Sequence, residues 1–205
     1  NYEIGAKGQL FGNRLTLSVD LFQIDWSDMQ VRGSNASGYS FVSNAGNARI
    51  RGVEAEFGAR PFEGFELNGN LTWMNPKLTE DQINEDVVAA GRKGDRIPYI
   101  PKLTAMLGAQ YTHALGAETD LTLRADVNYV GRSYSEFRPT SSNRRELGDY
   151  VVANARATFD LREQGLSVYV FADNVFDKFG TTYARSEYLT GYVTQHNIIR
   201  PRTVG

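Results

Sequence analysis

Residues 121–129 read LTLRADVNY. Leu121, Leu123, Ala125, Val127 and Tyr129 are apolar, and Thr122, Arg124, Asp126 and Asn128 between them are polar. A period of two places one set on each face of a β-strand, whereas a helix would scatter both around its axis. The pattern recurs at Phe65, Leu67, Leu71 and Trp73 against Glu66, Asn68, Asn70 and Thr72. It recurs again at Leu103, Ala105, Leu107, Ala109 and Tyr111 against Thr104, Gln110 and Thr112, and at Val151, Ala153, Ala155, Ala157 and Phe159 against Asn154, Arg156, Thr158 and Asp160. Weaker versions occupy residues 2–11, 14–32, 39–60 and 166–176, and a last strand is expected over residues 195–205, for nine strands in all. The second segment changes phase at Leu21 and Phe22 and the third contains SNAGNA at 43–48, so a bulge is expected in each.

The connections alternate between short and long. Those at 12–13, 61–64, 114–118 and 162–165 are short, and those at 33–38, 76–100, 133–148 and 177–194 are long. Antiparallel strands with tight turns at one end and long loops at the other make an up-and-down transmembrane β-barrel. Alternation alone does not say which face is wet, because a small soluble lipocalin-like barrel alternates too, with its apolar face inward. Three features put lipid outside. The polar face carries Glu54, Glu56, Arg124, Asp126, Arg156 and Asp160, charges of both signs suited to a hydrated lumen. Small residues such as Ala105, Ala109, Ala153, Ala155 and Ala157 lie on the apolar face. Aromatic residues gather at expected strand ends, among them Phe11, Trp26, Phe62, Phe65, Trp73, Tyr111, Tyr129, Tyr134 and Phe159, as interfacial girdles require.

Composition is that of neither a disordered nor a collagen-like chain and allows one sizeable domain. The chain has 205 residues, 41% hydrophobic, 22% charged and 12% aromatic, with 20 glycines. Lys plus Arg number 22 against 24 Asp plus Glu, a balance that argues against a nucleic-acid partner. There is no cysteine, which removes disulfides and thiolate metal sites. No apolar run reaches the length of a transmembrane helix, so a membrane role must use strands. The start, NYEIGAKGQL, shows no secretory signal. Nine strands are an odd number for a bacterial barrel and leave an edge that lipid cannot satisfy. The expectation is therefore one part of a larger barrel, with RPRTVG at 200–205 as the opening of a strand.

Four motifs then occur in order: NAG at 44–46 followed by RGVEAE at 51–56, IPYIPK at 97–102, DNVFDK at 173–178, and RPRTVG at 200–205. Together they resemble the C-terminal half of TonB-dependent receptors, across nearly the whole chain. The resemblance implies a 22-stranded barrel in the bacterial outer membrane, plugged by a separate N-terminal domain. Residues 1–205 would be its last nine strands or so, with plug and N-terminal strands absent. It further implies energy-coupled uptake of a scarce substrate, commonly a ferric siderophore or similar metal chelate. The implied partners are outer-membrane lipid, the plug, and the TonB energy-coupling complex acting through an absent N-terminal segment. A passive porin and the lipocalin-like binding protein are the alternatives.

No catalytic set is visible. Glu54 and Glu56 share a face by strand spacing alone, with no nucleophile and base beside them. His113 and His196 lack ligand-spaced partners, so no metal site and no cofactor is expected, and the chain is read as not an enzyme. Function is assigned to the long loops. Candidate ligand contacts are Tyr134, Arg138, Arg144 and Arg145 in one, and Tyr183, Arg185, Tyr188 and Tyr192 in another. Arginine and tyrosine suit an anionic or aromatic chelate through charge-assisted hydrogen bonds and stacking. Residues 85–96, EDVVAAGRKGDR, are expected to form a short helix or a mobile segment without a ligand role.

Overall fold

The computed structural model describes residues 1–35, 39–82, 90–187 and 193–205. Its strands in chain order are β1 (Tyr2–Leu10), β2 (Leu15–Trp26), β3 (Gln30–Ser34), β4 (Ser40–Asn44), β5 (Ala48–Ala59), β6 (Phe65–Leu78), β7 (Leu103–Ala114) and β8 (Thr119–Val130). They continue with β9 (Ser133–Tyr134), β10 (Glu146–Leu147), β11 (Tyr150–Leu161), β12 (Leu166–Asp173), β13 (Thr181–Glu187), β14 (Val193–Ile198) and β15 (Thr203–Val204). Nine of these form one sheet in the order β1-β2-β5-β6-β7-β8-β11-β12-β15, and every adjacent pair is antiparallel. The sheet is open at β1 and β15. This is the geometry of one sector of an up-and-down barrel with nine strands, as periodicity implied. The last strand expected over 195–205 is only Thr203–Val204, because residues 195–198 pair with β13 in a ribbon of the loop end.

Register sorts the side chains into two continuous faces. Ala6, Val19, Ala55, Leu71, Ala105, Tyr129 and Val151 stand opposite one another in succession across seven strands. One residue along, Lys7, Ser18, Glu56, Asn70, Met106 and Asn128 form the matching row of the other face. Leu21 and Leu123 on the apolar face are 52% and 47% exposed, so this face packs on no core of its own. Lipid covers it without cost. The central strands run to 12 residues or more, enough for a tilted strand to cross the hydrocarbon.

The four short turns lie at one end, and three of them take positive φ where they tighten. Phe11, Gly12 and Asn13 have φ of 54°, 63° and 69°, Gly64 has 75°, and Gly165 closes the one-turn 3-10 segment Arg162–Gln164 at 59°. Short turns face the periplasm in such barrels and long loops face outward. At the long-loop end the strands rise past the lipid. There Met29, Ala45, Ala48, Ile50, Leu78, Ile97 and Phe137 form the buried apolar cluster, with Phe22, Val31, Met74 and Ile100 packed against it.

That cluster explains the phase change at Leu21 and Phe22, where no bulge exists: the register of β2 with β1 and β5 runs through without a shift. Above the lipid the preference of the two faces inverts. Phe22 turns inward onto the cluster, while Gln23, Asp25, Arg49 and Arg51 turn outward to water. The expected bulge in SNAGNA is likewise replaced by a clean break between β4 and β5. Gly46 has φ 80°, Met29 N–H donates to Gly46 O and Ala45 N–H to Met29 O, and the β3–β4 hairpin continues as its own ribbon.

The family-like motifs have local reasons. Phe22 lies directly opposite Gly52, and a Cβ at Gly52 would come within 2.3 Å of the Phe22 ring and 2.6 Å of Trp73 O, so glycine is required in RGVEAE. Asn174 of DNVFDK is 3% exposed. Its amide donates to Lys178 O and Arg200 O, its Oδ1 accepts from Lys178 N–H, and its own N–H donates to Asn154 Oδ1. Asp177 accepts from Arg202 N–H at 2.9 Å, which ties the DNVFDK turn to RPRTVG.

Candidate functional site at the loop end

Residues 91–102, the β9–β10 loop and the β13–β14 ribbon meet over the long-loop end of the sheet. Asp95 anchors the first of these. Its carboxylate accepts from Arg92 N–H and pairs with Arg138 at 3.1 Å, with side chains only 15% and 25% exposed. A half-buried pair of this kind resists salt better than an exposed one. Arg96 follows and donates to Ile100 O and Arg132 O at 2.7 and 2.6 Å. Its guanidinium lies 5.6 Å from the Tyr134 ring centre, and that of Arg144 lies 3.5 Å from the same ring. The Nε atoms of Arg96 and Arg144 are buried and have no hydrogen-bond partner. Burial pulls the Arg96 pKa below the usual arginine value. Two guanidiniums over one phenol ring make a cationic, aromatic group.

Tyr99 joins the third segment to the other two. Its backbone has φ 63°, its N–H donates to Tyr134 O, and its hydroxyl donates to Ala184 O at 3.0 Å. Its ring stacks on Tyr183 at 5.3 Å between centres and 13° between planes. Gly148 N–H donates to Thr181 O. Arg145 exchanges contacts within its own loop: its N–H meets Ser135 Oγ and its guanidinium meets Ser142 O and Arg144 O. Burial raises the pKa of Glu136, and the charge of Arg145 partly opposes that shift.

Of the residues singled out in the sequence, Tyr134, Arg138, Arg144, Arg145 and Tyr183 are therefore gathered in one interlocked group. Arg185 stands on β13 opposite Gln195, and Tyr188 and Tyr192 lie outside the described residues. The sequence reading missed Asp95, Arg96 and Tyr99. Residues 83–89 lie outside the described residues, and Gly94 N–H turns back to Leu78 O at 2.9 Å, so the end of residues 85–96 is a turn and no helix. The usable signal was GDR at 94–96 beside a tyrosine set between Pro98 and Pro101, a stiffened segment with charge at its start.

Elsewhere the polar face carries no reactive set. Glu54 and Glu56 stand opposite Thr72 and Asn70, and no group of three or more metal-binding side chains occurs among the described residues. His113 stacks on Tyr111 beside a short turn. No helix among the described residues is long and apolar enough to cross a membrane, and the strands do so instead.

Two continuous faces, an outward apolar band and a loop roof at one end are the frame of an outer-membrane barrel, and residues 1–175 match the family model described as TonB dependent receptor-like, beta-barrel. The chain belongs to the TonB-dependent receptors. It is 29% identical over 180 residues to the ferrichrome outer membrane transporter/phage receptor of Escherichia coli K12, covering 86% of this chain and 22% of that protein. It is 27% identical over 208 residues to the pesticin receptor of Yersinia enterocolitica, covering all of this chain and 28% of the relative. The ferric yersiniabactin uptake receptor of Yersinia pestis superposes with TM-score 0.74 at 25% identity, over 99% of this chain and 28% of that one. This chain thus spans roughly a quarter of the length of these relatives. TonB-dependent receptors are bacterial outer-membrane transporters and receptors, not enzymes, and the soluble lipocalin-like alternative is set aside.

Proposed function

We propose that this chain supplies about nine C-terminal strands of a 22-stranded receptor that imports a metal chelate, first a ferric siderophore, across the outer membrane. The remaining strands and the plug come from the rest of the receptor, and the TonB complex drives uptake through its N-terminal segment. The observation that carries the reading is similarity over 86% or more of the chain to receptors named for ferrichrome, pesticin and ferric yersiniabactin. The cationic, aromatic loop group supports it, because arginine and tyrosine recognise anionic and aromatic chelators. On this reading Tyr134, Arg138, Arg144, Arg145, Tyr183, Arg185, Tyr188 and Tyr192 form the chelate-facing set, and Asp95, Arg96 and Tyr99 hold it in shape.

The test is growth under iron limitation of a strain that lacks its own chelate receptors and expresses the receptor containing this chain. Ferric hydroxamates, catecholates and mixed chelates, ferrichrome and ferric yersiniabactin among them, are supplied singly. Growth on at least one of them that disappears on deletion of TonB is expected. Growth that persists without TonB would make the protein a passive porin. No growth on any chelate, with the receptor present in the outer membrane, would overturn chelate uptake.

A further inference from the structure

We propose that Arg124, Arg156 and Tyr169, on the polar face of β8, β11 and β12, form a second anion site on the lumen wall, which receives an anionic aromatic chelate after it leaves the loops. The inference rests on the chelate-uptake reading above and adds a place where the cargo is held on the periplasmic side of the loop group. Arg124 and Arg156 stand directly opposite each other, with Gln110 beyond the first and Phe171 beyond the second. Like charges in that position weaken strand pairing. Among the described residues no carboxylate pairs with either arginine. The carboxylates of the same two strands are engaged elsewhere. Asp126 Oδ2 accepts from Asn128 and Asn154, Asp120 pairs with Arg162 at 3.0 Å, and Asp160 accepts from Ser167 Oγ. The next row toward the short turns is neutral, with Thr112 and Thr158 on either side of Thr122. The wall therefore carries a double positive charge at one level with nothing opposite in sign beside it.

The aromatic half of the site lies on β12. The Arg156 guanidinium sits 3.8 Å from the Tyr169 ring centre. Its Nε donates to Thr158 Oγ1 at 3.3 Å, which leaves its terminal nitrogens without a protein acceptor among the described residues. The rings of Tyr169 and Phe171 are 6.2 Å apart at 40°, and Tyr169 is 48% exposed. Two guanidiniums with one phenol ring repeat the chemistry of Arg96, Arg144 and Tyr134 at the loop end. Arg156 follows Tyr150, the first residue of β11, by about 20 Å of strand toward the short turns. A chelate with oxyanions and aromatic rings thus meets the same partners at two levels, forked N–H groups for the oxyanions and ring faces for the aromatic plates. A carboxylate of the plug would satisfy the arginines but would have no use for the exposed rings.

The test uses the whole receptor containing this chain in cells that have TonB, with ferric yersiniabactin, a ferric tris-catecholate and ferrichrome labelled with radioactive iron. Binding to de-energised cells and uptake by energised cells are measured separately. Arg124→Gln and Arg156→Gln are each expected to slow uptake of the aromatic chelates about threefold, and together about tenfold. Surface binding is expected to stay unchanged, because the loop group is untouched. Arg124→Lys combined with Arg156→Lys is expected to restore most of the rate, which a loss of packing alone would not do. Heat-modifiable migration on gels checks that each variant is folded. Uptake at the unsubstituted rate by the folded double glutamine variant would overturn the proposal. So would a matching loss of surface binding, which would move the effect to the loops, or entry of vancomycin into cells carrying the variant, which would mean that the pair clamps the plug. Uptake of ferrichrome but of neither aromatic chelate by the unsubstituted receptor would leave the chelate reading standing and overturn this inference. Uptake of none of the three would count against both.

Discussion

At the residue scale a few polar side chains hold irregular segments in place. Asn174 makes four hydrogen bonds that join β11, the turn after β12 and the segment at Arg200. Asn174→Ala is expected to cost about 2–3 kcal/mol by leaving buried carbonyls unmet, seen as a lower unfolding temperature of the folded barrel. Glu136 makes an opposite prediction. Its carboxyl keeps its proton to a higher pH in the folded loop than in an open one, so ionising it costs stability. That cost is absent below the ordinary glutamate value of about 4.3 and grows as pH rises through the raised folded value. Glu136→Gln is therefore expected to slow hydrogen exchange at the Ser135 and Arg145 amides at pH 7, after correction for intrinsic rates, and to leave it unchanged near pH 4. DNVFDK was recognisable in the sequence as a motif, but its hydrogen bonds were not, because they reach residues 20 and 26 positions away.

At the element scale, periodicity made the strands legible and failed where the solvent changed. Residues 121–129 alternate cleanly because they lie wholly within the lipid-crossing part of β8. In β2 the alternation slips at Leu21 and Phe22 although the strand is regular, because the upper part leaves lipid and its apolar residues turn inward under the loops. Hydropathy alone reads that inversion as a bulge. Lipid contact also predicts how substitutions divide by face. Leu123→Arg, on the outward face opposite Ala157, is expected to destabilise the barrel by about 2–4 kcal/mol. Asn70→Arg, on the polar face opposite Glu56, is expected to change stability little. Urea unfolding of the two variants in lipid vesicles decides it, and equal losses would mean that the faces are misassigned.

At the scale of the whole molecule, nine antiparallel strands in chain order, short turns at one end and long loops at the other place the chain in the outer membrane with its loops outside. Strand count and turn alternation were readable because they depend on local pattern. The interlocking of Asp95, Arg96 and Tyr99 with Arg138, Tyr134 and Tyr183 was not, because it joins side chains from three separate loops and needs a positive φ at a tyrosine. The most direct test of the membrane placement uses the absence of cysteine from this chain. Single cysteines at Ser142, Gly116 and Leu123 are introduced in turn into an otherwise cysteine-free receptor and treated on intact cells with a membrane-impermeant maleimide. Labelling of Ser142→Cys on intact cells, of Gly116→Cys only after the outer membrane is permeabilised, and of Leu123→Cys in neither condition is the predicted result. Labelling of Leu123→Cys, or of Gly116→Cys before Ser142→Cys, would contradict it.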